Sequence, residues 1–281
     1  MANIMDIFKP GEVKEVNFGI DSAKGVFEKI RKAQELVGGK PNIRVKVGSG
    51  GAKIFTVTKG SNEIAIDGFS GVVVAHHMCN ARFAAQDDGA AMNTPPICSS
   101  EDGVTGIVHE TGECRDCGSC PYNVFGSSGK GKVCKNMHRL YIMLENCPIP
   151  VTLTLPPTSL ELWRNYALMD VAAAGLDMAG VVTEFGLEVE TSAAGQRYAV
   201  VTFKIAGTVN EEVKSYCTTV GEAMTTTVRP AISGEDYNRE TLPEPTEEGT
   251  QDTLPDFPEP TEALPDWDEE APPPAIGFDE L

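Results

Sequence analysis

The chain has 281 residues, 41% of them apolar, and a formal net charge of -18. This is enough apolar material to bury one large core or two modest ones without covalent staples. Its longest apolar window, residues 167–182, is broken by Asp170, Asp177 and two glycines, which excludes a membrane-spanning helix there.

The charge is unevenly placed. Residues 231–281 hold sixteen acids against Arg239 alone, which leaves 25 acidic and 22 basic residues in 1–230. The acidity therefore belongs to the C-terminal stretch, and it does not exclude nucleic acid as a partner of the remainder. The opening MANIMDIFKPGEVKE lacks an apolar stretch of signal-peptide length. A cytoplasmic protein with no membrane partner is expected, and its eight cysteines would stay reduced, available for a metal or for catalysis rather than for disulfides.

In chain order, the first predicted element is an amphipathic helix starting at Asp21, with Val26, Phe27, Ile30, Ala33 and Val37 on one face and glycines behind it. Strand-like runs follow at 43–47, 52–59, 62–67 and 71–78, separated by Gly, Ser and Asn. From about Asp87 to Lys135 the periodicity disappears into Gly, Ser, Pro and Cys, and so long a loop calls for a reason. Alternation returns in 139–145 and 150–156. A helix capped by Thr158 or Ser159 and ended by Gly175 comes next, then a hairpin of strands 181–190 and 197–207, then a last helix from Asn210 to about Thr227. Strands, one helix and a closing hairpin form the order of an oligonucleotide-binding (OB) barrel. The expected fold class is thus α+β, mainly β: an OB-like β-barrel with a zinc-binding insertion at about 95–136, in a body spanning 1–230.

The reason for the long loop is chemical. Cys98, Cys114, Cys117, Cys120 and Cys134 fall within 37 residues. Zinc takes four soft or borderline ligands in a tetrahedron, and a C-x2-C turn brings two thiolates together. CRDCGSC contains two overlapping C-x2-C units, so one outer cysteine is spare. The preferred structural zinc set is Cys98, Cys117, Cys120 and Cys134, because Pro121 stiffens the exit of its knuckle; Cys114 in place of one member is the competitor, and His109 and His138 are further candidate ligands. Cys79, Cys147 and Cys217 lie in apolar surroundings and read as core residues. GSSGKGKV at 126–133 mimics a phosphate-binding loop, but Val133 stands where a hydroxyl should hold Mg²⁺. A zinc deaminase would need H-x-E and P-C-x-x-C, neither of which is present. No catalytic set is found, and no enzyme is expected.

Beside the cysteines runs GKGKVCKNMHRLY, with Lys130, Lys132, Lys135 and Arg139 and no acid, flanked by Tyr122 and Phe125 before it and closed by Tyr141. Cations along a phosphate backbone next to rings on which bases stack form the recurrent arrangement for single strands. Strand alternation puts Arg139 and Tyr141 on one face, opposite Leu140, Ile142 and Leu144. These seven residues are the candidate DNA contacts.

Residues 231–281 are rich in proline and acid, with the near-repeats LPEPTEE and FPEPTEA, and read as a disordered tail. It ends IGFDEL, so Phe278, Asp279, Glu280 and Leu281 form an apolar tip flanked by acids, suited to a basic-rimmed pocket on a partner.

PPICSSEDGVTG, then CGSCPYNVFGSSGKGKVCKNMHRLYIMLE, then PVTLTLPPTSLELW resemble a family of bacteriophage single-stranded-DNA-binding (replication) proteins, over about residues 95–205. The matching motifs are C-P-x-N-x-F-G-S at Cys120–Ser127 and G-K-G-K-x-C-K-N at Gly129–Asn136. The resemblance implies zinc ligation at 98, 117, 120 and 134, with Cys114 the departure, an OB-like barrel, and a location in the host cell cytoplasm. The function it implies is coating and protecting single-stranded DNA in replication or recombination, with replication or recombination proteins recruited through the tail; homo-oligomerisation is compatible with that role. The alternative is a zinc-dependent protein-interaction or transcription-modulating module that uses the tail as a DNA mimic.

Overall fold

The computed structural model describes residues 13–37, 43–48, 50–59, 62–84, 95–129, 131–192 and 195–226. The predicted tail 231–281, its tip at 278–281 and Lys130 lie outside the described residues. Helix α1 (Asp21–Val37) forms where the spacing predicts it. Ala23 is buried and Phe27 packs against a core, but Val26 is exposed, so the described chain covers only part of the predicted apolar face.

Strands β1 (Ile43–Val47), β2 (Phe55–Lys59) and β3 (Asn62–Ile66) make an antiparallel meander. Next comes β4 (Phe69–Arg82), which extends well past its apolar run to 14 residues. The predicted loop contains three short strands, β5 (Cys98–Ser100), β6 (Thr105–Val108) and β7 (Cys114–Asp116). Then follow β8 (Lys135–Met143), β9 (Val151–Leu155), the helix α2 (Leu160–Asn165), the hairpin β10 (Val181–Thr191) and β11 (Arg197–Thr208), and the helix α3 (Glu211–Thr226).

The ladder runs β3-β2-β1-β9-β8-β4-β5-β6-β7, with the β10–β11 hairpin branching from β4. One edge of β4 pairs with β8 along most of its length, through a bulge at Val73–Ala75. Its other edge is given first to β10, at Phe69–Val72, and then to β5, at Asn80–Arg82. The fold is mainly β, but the expected closed barrel is corrected to an open sheet. Among the described residues β11 pairs with no strand other than β10, apart from a single bridge from Thr208 to Glu15, and the edge of β9 that could receive it is taken by β1, in parallel from Ile43↔Val151 to Val45↔Leu153. An edge whose N–H and C=O groups already pair with one strand cannot close onto another.

Two apolar layers hold this sheet. In the larger, Trp163 of α2 and Tyr166 just beyond it press onto Leu140, Val73, Phe185 and Val201, with Phe203 edge-on to Trp163 at 5.3 Å between centroids. The helix continues past Asn165 as a π-helical turn, Tyr166–Ala172, and Gly175 at φ 74° ends it. Tyr166 Oη meets Thr183 Oγ1 at 2.7 Å. Ser159 occupies the predicted cap position, yet its hydroxyl accepts the Val201 N–H at 3.0 Å and so pins the helix to β11 instead of capping it.

The second layer lies under α3. Asn210 caps that helix by accepting the Val213 N–H at 2.9 Å, and Val213, Cys217 and Val220 meet Val72, Met143 and Val182 of the sheet. Cys79 and Cys217 are fully buried, as their apolar surroundings predict. Gly221 lets α3 touch β4: a Cβ at this position would collide with the backbone carbonyl of Val74. Gly221→Ala should therefore destabilise the protein by about 3 kcal/mol, read as a fall of several degrees in the thermal midpoint. An unchanged midpoint would contradict this packing.

Candidate metal centre and nucleic-acid interface

The C-terminal end of β4 gathers the cysteines. Arg82 stands opposite Cys98 of β5 on one edge, and on the other Ala81 stands opposite Lys135, the residue after Cys134. Two cysteines 36 positions apart in the chain thus flank one strand end. The other two arrive on a knuckle. The Cys117 N–H donates to Val104 O at 2.7 Å, and the Asp116 carboxylate accepts the N–H and hydroxyl of Ser119 at 2.8 and 2.7 Å. These bonds hold its carboxyl below the usual range. A short 3-10 turn, Pro121–Asn123, follows Cys120, and Asn123 Nδ2 returns to Cys117 O at 2.8 Å. Finally the Cys134 N–H donates to Tyr122 O at 2.8 Å, which ties the knuckle to β8.

Cys98, Cys117, Cys120 and Cys134 line one small cavity of about 20 Å³, together with Gly106 and Arg82. This is room for a single ion or water. Cys114 is exposed on β7 and does not line the cavity. The two histidine candidates are engaged elsewhere: His109 Nε2 lies 2.8 Å from Ser99 Oγ, and His138 Nε2 lies 2.9 Å from His76 Nδ1. What the four cysteines share is a cavity rather than a finished tetrahedron; among the described residues no three His, Cys, Asp or Glu side chains stand in the geometry of a formed metal site.

Their chemistry nevertheless suits a dication. Burial, and then the neighbouring thiols of Cys117, Cys120 and Cys98, push the Cys134 thiol up to about 12. Burial likewise raises Cys98, with Arg82 the leading opposing charge. Cys134 and Cys98 therefore hold their protons until a positive ion replaces them. A Cβ at Gly106 would stand 3.1 Å from Cys98 Sγ and 3.5 Å from Cys117 Sγ, so the missing side chain leaves space beside two of the sulfurs.

The candidate DNA contacts fare differently. Phe125 is 76% exposed and Tyr122 is 36% exposed. Arg139 and Tyr141 share a face, as alternation predicts, but each is only 1% exposed, because both faces of β8 are covered. Arg139 Nε donates to Thr154 Oγ1 at 3.3 Å, and Tyr141 Oη meets His77 Nε2 at 3.2 Å. Lys132 Nζ donates to Asn136 Oδ1 at 2.8 Å and Asn123 Oδ1 at 3.3 Å, inside a network that also joins Asn136 to Asn80. Lys135 Nζ donates to Lys132 O at 2.9 Å. These two lysines brace the knuckle against β4 and β8. Within the GSSGKGKV segment, the Gly126 N–H donates to Gly131 O at 2.9 Å.

Sequence reasoning missed Arg82, whose guanidinium carbon lies 4.1 Å from the centroid of the Tyr122 ring. Its only local signal is a lone cation at the end of a long strand. The module also exposes Val104, Ile107 and Val124. No family model, curated protein or solved structure matches the chain.

Two outcomes are expected from zinc analysis of the purified chain by plasma mass spectrometry. Serine at 98, 117, 120 or 134 should abolish stoichiometric metal, whereas Cys114→Ser should leave it in place; loss in Cys114→Ser would contradict the geometry. Because uptake must displace protons from thiols with raised pKa values, retention against a fixed chelator should fall as the pH is lowered from 8 to 6.

Proposed function

We propose that this chain binds single-stranded DNA without catalysis, in replication or recombination, on a surface organised by a structural zinc ion at Cys98, Cys117, Cys120 and Cys134. The observation that carries the reading is the exposed Phe125, three residues along the cysteine module from the cation-backed Tyr122. Ring faces of this kind stack bases of any identity, each worth about 1–3 kcal/mol.

The strand order supports an OB-related origin. β4, β8 and β9, then α2, then β10 and β11 follow the order of the five strands and helix of an OB fold, with β4 paired to both β8 and β10. On this reading the cysteine module sits in the connection between the first two strands, a loop with which such folds grip oligonucleotides. The N-terminal meander β1–β3 then occupies the edge where the barrel would close. The acidic stretch 231–281 would compete with DNA for the site and carry the docking tip at 278–281.

One observation favours the second reading, a zinc-dependent protein-interaction or transcription-modulating module with a DNA-mimicking tail. Lys132, Lys135 and Arg139 are bonded within the protein, while Val104, Ile107 and Val124 are exposed. Fluorescence anisotropy with a labelled oligo-dT across a salt series separates the two. Single-strand binding should weaken as salt rises, Phe125→Ala should weaken it about tenfold, and removal of 231–281 should tighten it. A preference for duplex would contradict the single-strand reading, and no retention of the oligonucleotide would favour the interaction module.

A further inference from the structure

We propose that Arg82 is a positioning residue of the cysteine centre, donating its Nε–H to the Cys98 sulfur once a metal holds that sulfur as thiolate, and clamping the Tyr122 ring with its guanidinium plane. This rests on the zinc reading and goes beyond it, because it assigns the coupling between metal and aromatic surface to one side chain.

Three observations lead there. Arg82 Nε is buried with no hydrogen-bond partner among the described residues, a costly state for a charged donor. Arg82 lies directly across the ladder from Cys98, where side chains of an antiparallel pair lie on the same face, and both line the cavity. Its guanidinium lies over Tyr122, at a cation–π distance. A Zn²⁺ bound by four thiolates carries a net charge of about -2, so its outer shell calls for N–H donors and positive charge.

The other cations near the cavity are committed. The Arg115 fork is spent on Glu113, with Nε–Oε1 at 3.1 Å and Nη2–Oε2 at 2.8 Å. Lys132 and Lys135 are bonded to asparagines and a backbone carbonyl. Arg82 is the cation on the cavity wall whose buried donor has no partner among the described residues. No redox or bond-making step is involved; the metal displaces the thiol protons to solvent, and Arg82 steadies the resulting thiolate.

The test uses the full chain loaded with Zn²⁺, and separately with Co²⁺ as a spectroscopic stand-in. Metal affinity is measured by competition with a chromogenic chelator for wild type, Arg82→Met, Arg82→Lys and Arg115→Met. Loss of an outer-shell partner typically weakens metal binding 10–100-fold. Arg82→Met should show such a loss, together with a shifted sulfur-to-cobalt charge-transfer band; Arg82→Lys should recover part of the affinity, and Arg115→Met should stay within about twofold of wild type. Should Arg82→Met fail to fold, the Arg82→Lys band position decides, since a lysine keeps the charge but not the Nε–H. Equal losses in Arg82→Met and Arg115→Met would reduce the effect to net charge and overturn the proposal. So would a wild-type affinity and band in Arg82→Met with zinc stoichiometric in wild type. A wild type that takes up no zinc would overturn the metal centre itself.

Discussion

The register at the end of β4 is the constraint on which the rest of the structure depends. With Ala81 opposite Lys135 and Arg82 opposite Cys98, the strand that begins between two apolar layers ends among four sulfurs. A slip by one residue would turn every β4 side chain to the other face. It would remove Val73 from the core and Arg82 from the cavity together. Fold and site are therefore specified by one set of backbone hydrogen bonds, and the cysteine module needs little apolar core of its own. Its only described cluster, Cys79, Ala81 and Met137, belongs to that same β4–β8 pair.

Polar groups at this junction are arranged for rigidity. Asn80, Asn123, Asn136 and Lys132 bond one another across three segments, and Asn80 Nδ2 reaches Gly103 O at 3.0 Å. A part-buried network of this kind specifies one geometry when each member finds partners. Cations drawn into it cannot at the same time track a phosphate backbone. Among the described residues, the proposed nucleic-acid surface would rest on rings more than on lysines, with Arg82 over the Tyr122 ring.

Most elements were legible in the sequence because their signals are local. The runs at 43–47, 181–190 and 197–207 became β1, β10 and β11 nearly residue for residue, and the last helix begins directly after Asn210, where its start was expected. The count and Pro121 singled out Cys98, Cys117, Cys120 and Cys134, and these four line one cavity from which Cys114 is absent. What failed depends on neighbours that alternation does not report. It placed Arg139 and Tyr141 on one face but could not tell that this face is covered too. The open sheet follows from a non-local choice, β1 taking the edge of β9 across more than 100 intervening residues. Arg82 was invisible for the same reason: an isolated arginine acquires meaning only when Cys98 is set opposite it.

Zinc-edge X-ray absorption on the purified protein tests the central claim most directly. Four gathered thiolates predict a single shell of four sulfurs at about 2.3 Å. A shell containing nitrogen or oxygen, or no bound zinc at all, would contradict a centre built from Cys98, Cys117, Cys120 and Cys134.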